Sequence, residues 1–123
     1  MNTFELLMNV DRDALSKVPE KKIYIKRLSE ITGSRFEVTI KAIPGQRFTE
    51  IATFAVNDDG NVDSARSYEA NIATALEAIV EPDLKNKELL EHFGCITPKD
   101  LLQKLFLGGE IAKIAGEATE LSG

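Results

Sequence analysis

The chain has 123 residues, 43% of them hydrophobic and 28% charged, with 15 Lys and Arg against 20 Asp and Glu for a net charge of −5. That length supports a single domain, 1–123, with an ordinary core that needs neither metal nor disulfide. The acidic balance argues against nucleic-acid binding, which requires clustered cations to neutralise phosphates. Cys95 is the only cysteine, so no intrachain disulfide can form, and the chain reads as cytosolic or indifferent to redox state. No apolar run approaches the roughly 20 residues of a membrane span. Met1 to Val10 carries no basic residue and does not read as a signal peptide.

In chain order, Phe4, Leu6, Leu7, Met8 and Val10 mark a short helix or an apolar arm over residues 1–18, interrupted by Asp11-Arg12-Asp13. Pro19 to Lys22 is a linker. Ile23 to Leu28 is β-rich, and Arg35 to Lys41 alternates, with Phe36, Val38 and Ile40 on one face and Arg35, Glu37, Thr39 and Lys41 on the other. Thr32-Gly33-Ser34 lies between them as a turn signal. Residues 21–43 therefore predict a β-hairpin with one wet and one buried face. A lone hairpin is marginal in water, so helices must cover it.

From residue 46 onward the pattern is helical. Phe48, Ile51, Ala52 and Ala55 fit a short helix, and Asn57 to Asn61 a turn. A long helix is predicted from Ser64 to Val80, stopped by Pro82. Leu84, Leu89, Leu90 and Phe93 form a further apolar segment closed by Gly94. Thr97-Pro98-Lys99-Asp100 opens the next helix, with Thr97 as cap, Pro98 at the first helical position and a carboxylate at the positive end. Its stripe is Leu101, Leu102, Leu105 and Phe106. Gly108-Gly109 is read as the break before a last helix carrying Ile111, Ile114, Ala115, Ala118 and Leu121. The expected class is α+β: an N-terminal hairpin packed against about four to five helices.

The chemistry-bearing residues are sparse. His92 is the only histidine, and any Ser-His-Asp or Cys-His arrangement must use it. It falls at a helix end beside a glycine, where an imidazole caps carbonyls or packs. Cys95 reads as a small buried apolar residue. One His and one Cys cannot make a zinc site. Aligning Gly60 with the glycine of a calcium loop puts Ala55 and Arg66 at the first and last ligand positions, which neither can fill. Gly108-Gly109 lacks the spacing of a nucleotide loop, and Glu110 repels a phosphate. No catalytic residue, cofactor or metal is expected. The basic run Lys17, Lys21, Lys22, Lys26 and Arg27 fits an acidic partner or, more simply, a solvated strand edge.

The ordered motifs resemble a known family. They are Lys21-Lys22-Ile23-Tyr24-Ile25-Lys26-Arg27-Leu28, a strand ending Lys41-Ala42-Ile43, and Val80-Glu81-Pro82-Asp83-Leu84 leading to Leu89. After these come His92-Phe93-Gly94, Thr97-Pro98-x-Asp100-Leu101-Leu102, Leu107-Gly108-Gly109-Glu110 and the end Leu121-Ser122-Gly123. This order, over residues 18 to 123, resembles the XkdN-like tail assembly chaperones of long-tailed phages and defective prophages. Residues 1–17 match no pattern of that family. Where the family often has Leu-Pro-Gly-Glu, this chain has Leu107-Gly108-Gly109-Glu110, which replaces a stiff helix start with a freer one.

The resemblance implies a non-enzymatic protein of the host cytoplasm that binds the tape measure protein and keeps it soluble while tube subunits polymerise, and that is absent from the mature virion. In many phages a ribosomal frameshift adds a C-terminal extension that recruits the tail tube protein, and this chain would be the shorter product. The competing reading is a structural tail component, a completion or connector protein retained in the particle. Surplus apolar helix faces fit a protein partner and leave room for a homo-oligomer; no nucleic acid or membrane is expected. The contact candidates are Leu102, Phe106, Ile111 and Ile114 on the C-terminal helices, with Gly108-Gly109 as a hinge. The second candidate site is Phe4, Leu7 and Met8 on the N-terminal arm.

Overall fold

The computed structural model describes residues 2–56 and 58–123. Among them are eight helices and one three-stranded antiparallel sheet. The chain starts with two short helices, α1 (Thr3–Met8) and α2 (Arg12–Ser16). Strand β1 (Glu20–Tyr24), helix α3 (Lys26–Thr32) and strand β2 (Glu37–Lys41) follow. Then come α4 (Gly45–Phe54), α5 (Ser64–Ala78), β3 (Ile79–Glu81), α6 (Lys87–His92), α7 (Pro98–Leu105) and α8 (Gly108–Leu121). The expected α+β class is present, with five helices from Gly45 onward where about four to five were expected.

The expected pairing of two N-terminal strands is present, but the connection differs. Ile23 lies opposite Val38 and Lys21 opposite Ile40. A helical turn, not a tight loop, joins the strands. The β run ends at Tyr24, and Lys26–Thr32 coils into a helix that buries Leu28 and leaves Ile31 exposed. Thr32-Gly33-Ser34 ends that helix: Gly33 adopts φ +76° and its N–H donates to the Ser29 carbonyl. A left-handed residue at this place favours glycine. The same three residues that look like a hairpin turn in sequence thus serve as a helix stop. Ser29 ties the unit together, accepting from the Phe36 N–H at 2.8 Å and donating to the Ile25 carbonyl at 2.9 Å.

The long helix is two residues shorter than predicted. Ile79–Glu81 leaves it to form edge strand β3, with Ile79 opposite Ile40 and Glu81 opposite Thr39. The sheet order is β1-β2-β3. Of the predicted turn at 57–61, Asn57 lies outside the described residues; the pair Val56 and Val62 bridges the turn's flanks.

The buried face of the sheet (Ile23, Val38, Ile40) packs on α5 and α8. Ile72, Ala75 and Ala78 come from α5, Ile111, Ile114 and Ala118 from α8, and Leu101 and Leu102 from α7. Small residues on α5 and α8 let these two helices approach closely, and the branched side chains fill the space against the strands. Thr97 caps α7 as the sequence predicts, its Oγ1 accepting from the Asp100 N–H at 3.1 Å, with Pro98 in the first turn.

Candidate interaction surface

The C-terminal contact candidates are core residues. Leu102 and Ile114 are fully buried, and Phe106 and Ile111 are nearly so. No partner can touch them while the fold is intact, so the reading of α7 and α8 as a client surface is corrected. The physical reason is that the apolar stripes of α7, α8 and α5 are just what the sheet needs to cover its inner face. The surplus expected there does not exist.

The glycine pair also plays a different part. Gly108 and Gly109 form the first turn of α8, and the break falls one residue earlier, where Phe106 and Leu107 are extended. Glu110 secures that start. Its carboxylate accepts from the Leu107 N–H at 2.8 Å and from Arg27 Nη2 at 2.8 Å, while the same Nη2 donates to the Leu105 carbonyl at 2.7 Å. One guanidinium on α3 therefore holds the end of α7 and the start of α8. Burial alone would raise the Glu110 carboxyl. The Arg27 hydrogen bond, the Leu107 N–H and the Arg27 charge outweigh it and hold the group below the usual glutamate range. Sequence reasoning placed Arg27 in a basic run and missed this role; no local signal links residues 83 positions apart.

The basic run does not form one patch. Arg27 is committed to Glu110, and Lys21 to Glu117 on α8, whose hydrogen bond raises the ammonium's pKa. Lys17, Lys22 and Lys26 are exposed.

The remaining candidates, Phe4, Leu7 and Met8, are 61–70% exposed. Residues 2–22 are exposed throughout, and neither α1 nor α2 buries a side chain. Phe4, Leu7 and Met8 sit at i, i+3 and i+4 on one face of α1, while Leu6 points to the opposite side and Glu5 lies between the two. Asn2 caps the helix through its side chain at 2.8 Å.

A groove of about 590 Å³ opens on the body beside β3. Its apolar lining includes Leu76, Ile79 and Val80, and its rim carries Lys41, Arg47, Lys85 and Lys99. His92 and Cys95 do not meet in a cleft. His92 stands exposed at the end of α6, its ring edge-on to Phe93 at 4.9 Å, and lines a shallow depression with Glu81 and Pro82. Cys95 lines another with Ile96 and Gln103, its thiol donating to the Phe93 carbonyl. Among the described residues no group of three or more His, Cys, Asp or Glu side chains is placed to hold a metal, and no helix is long and apolar enough to cross a membrane.

The sole histidine and the sole cysteine line separate depressions, and the apolar arm is exposed. A family model described as phage XkdN-like tail assembly chaperone protein matches residues 4–123, and the chain belongs to that family. The match takes in nearly all of the arm, beyond the 18–123 carried by the motifs. The fold is similar to the crystal structure of the protein YqbN, with a TM-score of 0.57 and 25% identity over 87% of this chain and 88% of that one. No curated protein matches.

Proposed function

We propose that this tail assembly chaperone binds an apolar helical stripe of the tape measure protein through its N-terminal arm, keeping that protein soluble while the tail tube forms. The observation that carries the reading is the arm: Phe4, Leu7 and Met8 share a face and none of them is buried. A helix of six residues is too short to persist on its own, since isolated helices below about 12–15 residues are marginal in water. It needs a surface to lie on, and amphipathic helices recognise one another through such i, i+3, i+4 anchors. A net charge of −5 keeps the complex dispersed. A contact built from a single short helix is small, so the chaperone leaves as tube subunits arrive. A frameshifted longer form would carry the tube-recruiting element. The protein acts in the host cytoplasm, makes and breaks no covalent bond, and is absent from the finished particle.

Co-expression with the tape measure protein tests this directly. The expected result is a soluble tape measure protein with the wild-type chain and an insoluble one with Leu7→Asp. Equal insolubility with and without the chain overturns the reading. Finding the chain in purified tails replaces it with a retained structural component.

A further inference from the structure

We propose that the open edge of β1 pairs with the same edge of a second copy of this chain, antiparallel about a two-fold axis, joining two three-stranded sheets into one. This pairing is independent of the chaperone role. The sheet order β1-β2-β3 leaves β1 at an edge. The Ala42 N–H donates to the Pro19 carbonyl at 2.9 Å and the Ile25 N–H to the Phe36 carbonyl at 3.0 Å, which fixes the phase of the ladder. Lys21 and Ile23 therefore turn their main-chain groups towards β2, and Glu20, Lys22 and Tyr24 turn theirs away. Those outward N–H and C=O groups have no main-chain partner among the described residues, and all three side chains are exposed. Such a row of unpaired groups is a template for another strand.

The sequence of the edge is complementary to itself in one register. With Glu20 opposite the partner's Lys22, two-fold symmetry puts Lys22 opposite the partner's Glu20 and Tyr24 opposite the partner's Val18. Two opposite-charge pairs are then flanked by two apolar contacts, from Val18 at 48% exposure and Tyr24 at 39%. Sliding one strand by two residues places Lys22 on the partner's Lys22, or Glu20 on the partner's Glu20, and like charges directly opposite are destabilising. The neighbouring charges keep the same sense. Glu20 lies opposite Lys41 on β2, and Lys22 opposite Thr39, which in turn lies opposite Glu81 on β3. The joined row therefore alternates in sign: Lys41, Glu20, the partner's Lys22, then across Thr39 the partner's Glu81. Glu20, Lys22 and Lys41 form no ion pair among the described residues, so all three charges are available. On the inner face Lys21 meets the partner's Lys21 near the axis, each neutralised by its own Glu117. Arg35, stacked over the Tyr24 ring at 4.5 Å, is paired with Glu37 at 3.5 Å. With Glu117 counted, the charges of the stretch from Val18 to Tyr24 cancel, and Lys17 and Lys26 fall outside it. A five-residue edge buries less than the ~1,200 Å² of a standard interface, so the dimer is weak and reversible.

Sedimentation of the full chain over a concentration series, with amide exchange followed alongside, tests the proposal. The wild type is expected to dimerise by about 1 mM, and the Glu20, Lys22 and Tyr24 amides to exchange more slowly as it does. Glu20→Lys and Lys22→Glu each set like charges across the seam and weaken pairing about tenfold or more. Both positions are exposed, so both variants fold. In an equal mixture the lysines of one variant face the glutamates of the other, and the mixture dimerises better than either alone. The double reversal, Glu20→Lys with Lys22→Glu, recovers the wild-type dimer. Lys22→Pro removes an outward N–H that the ladder to β2 does not use, and abolishes pairing. A wild type still monomeric at about 1 mM overturns the proposal. So does a dimer equally strong in both single variants, or a mixture no more dimeric than its parts. Tape measure solubility is read in a separate assay, so failure of the chaperone reading leaves this result standing.

Discussion

Ile111, Ile114 and Ala115 on α8 and Phe4, Leu7 and Met8 on α1 repeat one spacing, i, i+3, i+4, yet the first set is at most 3% exposed and the second at least 61%. Two things separate them. Helix α8 is 14 residues long and lies against α5 and the strands, while α1 has six residues and no wall beside it. A hydrophobic stripe states that a helix has a face to bury. It does not state against what. In this protein the α8 stripe is covered by the body, while the α1 stripe is left facing solvent.

Truncation in the body should break this contrast most strongly. Ile114→Ala leaves a cavity where the side chain is fully buried, and a loss of about 2–5 kcal/mol in denaturant unfolding is expected. Phe106→Asp should not fold at all, since it places a carboxylate in the core; a folded Phe106→Asp protein that had lost only client binding would return α7 to the list of contact surfaces.

Removing the α7 cap is a smaller perturbation. Thr97→Ala loses the acceptor for the Asp100 N–H and should cost about 1 kcal/mol by the same measurement.

Arg27→Ala probes what anchors α8 rather than what buries it, and its signature is a pH profile. Glu110 has a lowered pKa in the folded state, so its contribution is present above the ordinary glutamate range and disappears as pH falls through the lowered value. Thermal unfolding of the wild type should therefore lose stability across that acidic window. Arg27→Ala should be less stable at neutral pH and should lose less on acidification. Parallel profiles for the two proteins would show that the Arg27–Glu110 pair contributes nothing.

The smallest stability effect belongs to the arm. Leu7→Asp should change unfolding by no more than about 0.5 kcal/mol, as for other exposed positions, while abolishing client rescue. A large loss of stability from this change would mean that the arm packs on the body in solution and that the contrast with α8 is false.

Several features were legible in the chain itself because their causes are local. The α7 start at Thr97-Pro98, the alternation from Glu37 to Lys41 and the stripes of α5 and α8 each depend on neighbours within a turn or a strand repeat. The arm was legible as a separate segment, in that Asp11-Arg12-Asp13 cuts it off from any longer apolar run. The family motifs were also readable, and with them the general role.

Three things were decided by tertiary structure alone. Lys26–Thr32 became a helix that buries Leu28 and leaves Ile31 exposed. Ile79–Glu81 left α5 because β2 had an open edge to pair with. Leu102, Phe106, Ile111 and Ile114 went inside because long-range packing removed them from water, and burial depends on what stands opposite a stripe rather than on the stripe. Spacing along a chain fixes which side chains travel together; only the folded arrangement fixes which of those groups meet each other and which are left facing solvent.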